Sequence, residues 1–511
     1  MTVPAVALTP RSDHGLGAGA SAGALLELAA RPDFHRWEAQ LAATGHCARP
    51  VRLQGRIDAI DKATGQARPI YDTDTEPGAV LRIPCGNRRE HACPACSHVY
   101  KNDARQIIRS GLTGGKGIPE SVATHPCVFA TLTAPGFGPV HTTRTDRRGH
   151  KLPCRPRRDA SPRRCPHGRD ISCSRTHPDD DPRLGQTLCP DCYDYTGHVL
   201  FNACGPDLWR RFVIYLPRQL ARLVGITQKA LRGQVTVRFV KVAEYQARGV
   251  VHYHAIIRLD APGQDYQPPP ARYTAALLAD AIRAAAVTVF LDTTAHLTRL
   301  NLKAAGTDDT AAVPVVGANL ARILRFGNQV DVRTVRAGIG LPGTGSELSA
   351  QAVANYIAKY ATKTISAPGL PDRPVYGPNA IAALRCATHY KRLISLCWEL
   401  SKHPAAAQLG LNRWTHMLGY RGHFLTKSQC YSTTFTRLRN DRITYRRIQR
   451  HPNGEKDPWG RDLDERTVLL MAAWRYAGTG HVTTAERQLA LSAAARAREH
   501  DRIAKEEIWM N

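Results

Sequence analysis

The chain is 511 residues long with 43% apolar side chains, enough to bury the cores of about two to four domains and too apolar for a disordered protein. Its 70 lysines and arginines against 43 aspartates and glutamates leave a net charge of +27, which draws in a polyanion such as nucleic acid through counterion release. No stretch approaches the roughly 20 uninterrupted apolar residues of a membrane span, and Met1 to Gly15 lacks a basic segment leading into an apolar one, so a cytoplasmic protein without membrane contact is expected. There the 14 cysteines, several in Cys-Pro-x-Cys pairs, read as thiols and metal ligands rather than as a disulfide framework.

In chain order, residues 1–30 are rich in Ala, Gly and Ser without periodicity, and 1–50 reads as a flexible leader. Cys85, Cys93 and Cys96 then precede a helical spacing from Tyr100 to Leu112, stopped at Gly114-Gly115: a zinc knuckle feeding a helix, within a segment 51–120. The β-branched run Val128 to Thr133 predicts a strand ended by Ala134-Pro135-Gly136. Residues 141–170 hold ten Lys or Arg against three Asp and lead to Cys189 and Cys192, so 141–200 reads as a basic, metal-pinned insert in a domain 121–365. Helical spacing resumes from Asp207 to Leu231. Val235 to Ala243 and Val250 to Leu259 predict a hairpin turning at Gln246-Ala247-Arg248-Gly249. A helix from about Tyr273 to Phe290, a Gly- and Thr-containing stretch to about Val316, a strand within Gly327 to Val335 and a helix over Ser346 to Thr364 follow. Residues 366–450 form a basic region and 451–511 a helical tail, with a charged helix from Thr484 to Trp509. Alternating strands and helices predict an α+β domain around a mainly antiparallel sheet, with zinc knuckle or ribbon insertions and a basic C-terminal helical region.

The chemistry concentrates in two motifs. His252-Tyr253-His254 lies on the second hairpin strand, where alternate side chains share a face, so both imidazoles can grip one ion. Glu244, across the turn, can add a carboxylate, and a His₂-carboxylate set with open positions suits a catalytic divalent ion, Mn²⁺ or Mg²⁺. About a hundred residues on, Tyr356, Lys359, Tyr360 and Lys363 follow i, i+3, i+4, i+7 spacing and share one helix face. A phenol flanked by ammonium groups suits attack on a phosphodiester, because positive charge favours the phenolate and stabilises the charge gained at phosphorus. The cysteines supply more than one tetrahedral set: Cys165, Cys173, Cys189 and Cys192 with His167 as an alternative ligand, and Cys85, Cys93 and Cys96 with a fourth ligand unidentified, for one or two structural Zn²⁺. Cys47, Cys204, Cys386, Cys397 and Cys430 read as packing residues.

His-hydrophobic-His followed by Tyr-x-x-Lys-Tyr, with Phe129 to Thr133 upstream, resembles the HUH endonucleases, in particular the rolling-circle replication initiators of actinobacterial plasmids and integrative elements. Cys85-Gly86-Asn87-Arg88, Cys93-Pro94-Ala95-Cys96, Cys189-Pro190-Asp191-Cys192-Tyr193-Asp194-Tyr195 and Gly422-His423-Phe424-Leu425-Thr426-Lys427-Ser428 are similar to that group as well, over about residues 80 to 440. The resemblance implies a single-strand endonuclease and strand transferase that recognises single- and double-stranded DNA at an origin. It would nick one strand with a tyrosine, stay linked to the 5′ phosphate and leave a 3′ hydroxyl as primer. Tyr360 is the favoured nucleophile. Tyr356 stands where related initiators carry a glutamate, so it is either a second nucleophile or a supporting group. Arg421, Lys427, Arg437 and Arg439 are candidate DNA contacts, and with no nucleotide-binding glycine loop in the sequence, strand separation and synthesis fall to a host helicase and polymerase. A conjugative relaxase or single-strand transposase is the nearest alternative, and a non-catalytic zinc-containing DNA-binding regulator is the alternative of another class.

Overall fold

The computed structural model describes residues 20–146, 148–157, 164–336, 348–362, 369–452, 454, 456–464 and 466–510; the side chains of 360–362, 450, 501 and 504–510 fall outside that description. The chain forms two compact units, Met1–Tyr100 with Tyr445–Asn511, and Lys101–Thr444.

The larger unit is built on a six-stranded sheet in the order Leu348–Ser349, Val330–Arg336, Cys127–Leu132, Val251–Asp260, Thr236–Tyr245, Leu425–Lys427. All neighbours are antiparallel except the first pair, which is parallel. The expected α+β class with a mainly antiparallel sheet is therefore what the chain adopts. The hairpin turns where the sequence predicts: Gly249 N–H donates to Gln246 O at 2.8 Å and Gln246 N–H to Val250 O at 2.9 Å. Gly249 has φ +85°, and a Cβ there would lie 2.5 Å from Leu418 Cδ1, so only glycine fits.

Period-two alternation splits the hairpin between two environments. On one face Tyr253, Ala255, Ile257 and Ala243 join Val128, Ala130 and Leu132 in the main core, packed with residues of the helices Tyr195–Val224 and Ala275–Thr288. Gly205 lets the first helix close on the sheet, since a Cβ there would come within 2.5 Å of Tyr253 Oη. Fully buried Asn202 on the same helix holds the turn in place: its Nδ2 donates to Gly249 O (3.0 Å) and Leu418 O (2.9 Å), and its Oδ1 accepts from Val251 N–H (3.0 Å). The other face carries Phe129, Thr131, Glu244, His252 and His254, and the helix Ala350–Thr362 contributes Tyr356 to it.

Several elements depart from the sequence expectation. The helix predicted from Asp207 begins at Tyr195, inside the 141–200 segment, because Asp194 caps it by accepting from Gly197 N–H. The Gly- and Thr-containing stretch after Phe290 holds a helix, Thr293–Ala305, capped by Asp292 and ended at left-handed Gly306.

In the smaller unit the strand Val51–Asp61 pairs antiparallel with Val468–Thr479, Ala67–Asp72 and Leu81–Ile83. Residues 451–511, expected as a helical tail, thus supply a strand as well as the helix Thr484–Met510. Val468-Leu469-Leu470-Met471-Ala472-Ala473-Trp474 suits either conformation locally, and pairing with a strand some 400 residues earlier decides it. Within the segment read as a leader, Ala22–Ala29 and Phe34–Ala43 are helical, and Leu28, Trp37 and Leu41 are buried with Ala485 and Ala490. Residues 1–19 lie outside the described residues. Among the described residues no helix is long and apolar enough to cross a membrane.

Asn202→Leu would leave the buried Gly249 and Leu418 carbonyls and the Val251 amide without this partner, so a loss of about 2–5 kcal/mol is expected in chemical denaturation. A second expectation concerns acid. Buried His389 donates through Nε2–H to Arg248 O (2.9 Å) and so accepts at Nδ1 from Tyr195 Oη (3.1 Å), and burial lowers its pKa from 6.5 to about 4. It is neutral in the fold where the unfolded chain is protonated, so stability falls as pH drops from 6.5 to about 4, by up to about 3 kcal/mol from this group. Calorimetric melting over that range should show the decline, and His389→Gln should flatten it.

Candidate active site

Glu244 stands directly opposite His252 in the hairpin register, and Val242 opposite His254. This puts the carboxylate and both imidazoles on one face. Glu244 Oε2 lies 2.9 Å from His252 Nε2 and 3.0 Å from His254 Nε2. The rings of His252 and His254 are 4.5 Å apart. An ion with bonds of about 2.1 Å spaces adjacent donors by about 3 Å, so the three convergent atoms fit a single divalent cation. Glu244 and His254 are buried and His252 is partly exposed, leaving one side for further ligands. His254 is oriented from behind: its Nδ1 is 3.1 Å from Thr131 Oγ1, and its ring stacks on Phe129 at 5.7 Å and 12°. With Nε2 directed at an ion, Nδ1–H donates to the Thr131 hydroxyl, the outer-shell arrangement that fixes a ligand tautomer.

The tyrosine helix packs through Val353, Ala354, Ile357 and Ala358, all buried. This apolar arc is therefore the packing face. Tyr356, 44% exposed, stands edge-on to His254 at 5.5 Å between ring centroids and to Phe129 at 5.9 Å. Lys359 is exposed. Tyr360 is in the helix but its side chain is outside the described set, and Lys363 lies outside the described residues altogether. Beside Tyr356 a cavity of about 300 Å³ opens between the sheet and the helix, lined by Phe129, Thr131, Asp331, Arg333, Leu348 and Val353 among others.

The rest of this sheet face is charged but internally compensated. Arg258 and Asp260 form a buried two-pronged pair at 2.7 and 2.8 Å, and His125 Nδ1 adds a third contact at 2.8 Å. Burial pushes the Asp260 carboxyl up, but the His125 and Arg258 contacts outweigh it and hold it below its ordinary value. Lys427 faces Val240 in the register, on the same side as Glu244, and burial lowers its pKa. Arg421 is partly buried with its guanidinium donating to Leu409 O (3.0 Å), while Arg437 and Arg439 are exposed on the helix Phe435–Arg450. On the opposite face Lys241 lies over Tyr253 at 4.6 Å, and burial lowers its pKa to about 7.

Thiols and imidazoles gather in three further groups, in each of which the ligand atoms lie within 4.8 Å of one another. Cys85, Cys93 and Cys96 are joined by Cys47, which the sequence suggests as a packing residue; sulfur separations of 3.6–3.7 Å match the edges of about 3.8 Å of a zinc–thiolate tetrahedron. Cys47 precedes the next cysteine by 38 residues, too far for a spacing rule. Cys165, Cys189 and Cys192 are completed by His167, whose Nδ1 is 3.3 Å from Cys192 Sγ and 3.8 Å from Cys189 Sγ. Cys173, expected in that set, lies instead with His141, Cys154 and His177. The Cys173-x-x-x-His177 spacing was the available sign of this fourth cluster.

The chain matches the family model described as "Replication initiator protein, pSAM2" over residues 33–495. It is 41% identical over 474 residues to a replication initiator protein of Streptomyces ambofaciens, covering 92% of each chain. No solved structure matches it. Glu244, His252 and His254, the tyrosine helix and the cysteine clusters all lie within the matched span, and the chain belongs to the RepSA family of replication initiator proteins.

Proposed function

We propose that this protein starts rolling-circle replication by nicking one strand of a double-strand origin, as an HUH-type endonuclease and strand transferase. The observation that carries the reading is the convergence of Glu244, His252 and His254 within 3.0 Å, with the Tyr356 ring of the tyrosine helix against His254. A tyrosine oxygen attacks the scissile phosphorus and forms a phosphotyrosine bond. The phosphorus–oxygen bond to the upstream 3′ carbon breaks, the phenolic proton is lost, and a 3′ hydroxyl is left to prime synthesis. A Mn²⁺ or Mg²⁺ ion bound by the triad supplies Lewis-acid polarisation of the phosphate. Lys359 and Lys363 offset the negative charge gained at phosphorus.

Two tyrosines share the helix, and the motif favours Tyr360 for the first cut. Tyr356, whose ring lies against His254, is the second candidate, for a transfer that rejoins the strand or as a supporting group. The net charge of +27, with Arg421, Lys427, Arg437 and Arg439, supports binding to single- and double-stranded origin DNA. A host helicase and polymerase complete the cycle. Cys47, Cys85, Cys93 and Cys96, and Cys165, His167, Cys189 and Cys192, hold one structural Zn²⁺ each.

A labelled single-stranded origin oligonucleotide incubated with protein and Mn²⁺ tests the chemistry by the appearance of a covalent protein–DNA band. The band is expected to be lost in Tyr360→Phe and in His252→Ala. Its survival in Tyr360→Phe with loss in Tyr356→Phe would transfer the first nucleophile to Tyr356, and its absence with the correct origin and metal would favour a non-catalytic DNA-binding regulator. Thr131→Val removes the acceptor behind His254 and should weaken Mn²⁺ binding by roughly 10–100-fold in titration calorimetry. Unchanged affinity would remove Thr131 from the site.

A further inference from the structure

The segment between the strand Cys127–Leu132 and the helix Tyr195–Val224 has little apolar material of its own and is organised by short backbone pairings. At its neck His141 N–H donates to Gln186 O and Gly185 N–H to His141 O, both at 2.9 Å, and Leu188 N–H donates to Pro139 O at 3.0 Å. Further out Arg155 and Cys173 exchange hydrogen bonds of 2.8 and 2.7 Å, and Cys154 N–H donates to Arg175 O at 2.9 Å. These cross-chain pairings bring together four side chains that neither the metal triad nor the two cysteine-rich sets use: His141, Cys154, Cys173 and His177.

Their geometry is that of a closed tetrahedral site. His141 Nδ1 and His177 Nε2 are 3.1 Å apart, and Cys173 Sγ and His177 Nε2 are 3.5 Å apart. A tetrahedron with zinc–nitrogen bonds of about 2.05 Å and zinc–sulfur bonds of about 2.3 Å has edges of about 3.3 and 3.6 Å between those donors. Two thiolates and two neutral imidazoles balance a dication, which suits a site where Cys154 is 3% and His177 1% exposed. The surroundings are those of ligands. His177 Nδ1 is 2.8 Å from Asp181 Oδ2, so Nε2 is the nitrogen directed into the cluster. Asp181 is itself clamped by Arg183 at 2.6 and 3.0 Å. Thr142 N–H points at Cys154 Sγ from 3.2 Å.

We propose that His141, Cys154, Cys173 and His177 bind a third structural Zn²⁺, in a Cys₂His₂ site at the base of the basic insert. The site stands independently of the nicking chemistry. Its ion closes the loop between His141 and His177, and with the neighbouring Cys165, His167, Cys189 and Cys192 set it makes the insert a two-zinc module that holds its shape without a hydrophobic core.

Zinc content of the full-length protein tests this, measured by inductively coupled plasma mass spectrometry in a His252→Ala background so that the triad does not contribute. Three zinc ions per chain are expected, falling to two in Cys154→Ser and in Cys173→Ser; unchanged content in both would overturn the site. Should either variant fail to fold, X-ray absorption at the zinc edge of the unaltered cysteine sets decides. Three sites hold nine thiolates and three imidazoles, an average of three sulfurs to each nitrogen, whereas the two cysteine-rich sets alone give seven to one. A seven-to-one average with two ions per chain refutes the proposal.

Discussion

Everything at the candidate active site depends on the two-residue alternation of one strand, Val251–Asp260. His252 and His254 point to one side because Tyr253 and Ala255 point to the other, and the latter are fully buried against the helix Tyr195–Val224. The core therefore sets the register: a slip of one residue would turn the imidazoles into the main core and Tyr253 onto the opposite face. Gly205 and Asn202 enforce that register from the helix side, the first by allowing close approach and the second by bonding the turn backbone. The candidate ligand set and the fold thus depend on the same ten residues.

A site assembled on a hairpin has an advantage over one assembled from loops. Glu244 and His252 are eight residues apart, so the three ligands are delivered by a local turn whose closure entropy is small. The elements that complete the site come from farther away: Thr131 from a strand more than a hundred residues earlier and Tyr356 from a helix about a hundred residues later. The candidate ligand set is accordingly local in sequence, and the tyrosine helix packs through four small or branched apolar side chains.

Local patterning made the hairpin, its turn and its ligand face legible in the sequence, because alternation and a glycine turn are short-range signals. What depended on distant partners was not legible. Val468–Thr479 is a strand because Val51–Asp61 is available to pair with it, and no property of the segment itself says so. Cys47 and Cys173 illustrate the point for ligands. Cysteine pairs with Cys-x-x-Cys spacing announce themselves, but the members that complete each set are chosen by backbone pairings such as Arg155 with Cys173, which separate Cys173 from the cysteines nearest to it in pattern.

The insert shows why a basic nucleic-acid-directed segment would recruit metal. With ten Lys or Arg in thirty residues it repels itself and offers few apolar side chains to bury, so a hydrophobic core cannot offset the ordering entropy. Thiolates solve both problems at once. With zinc bound as proposed, each tetrahedral set would replace an apolar core with a few strong bonds, and its negative ligands would sit among the arginines without consuming them in ion pairs. Arg144 and Arg155 then remain on a shaped surface, whereas the carboxylates that would otherwise have to tether the segment would neutralise the charge that makes it useful to a DNA-binding protein.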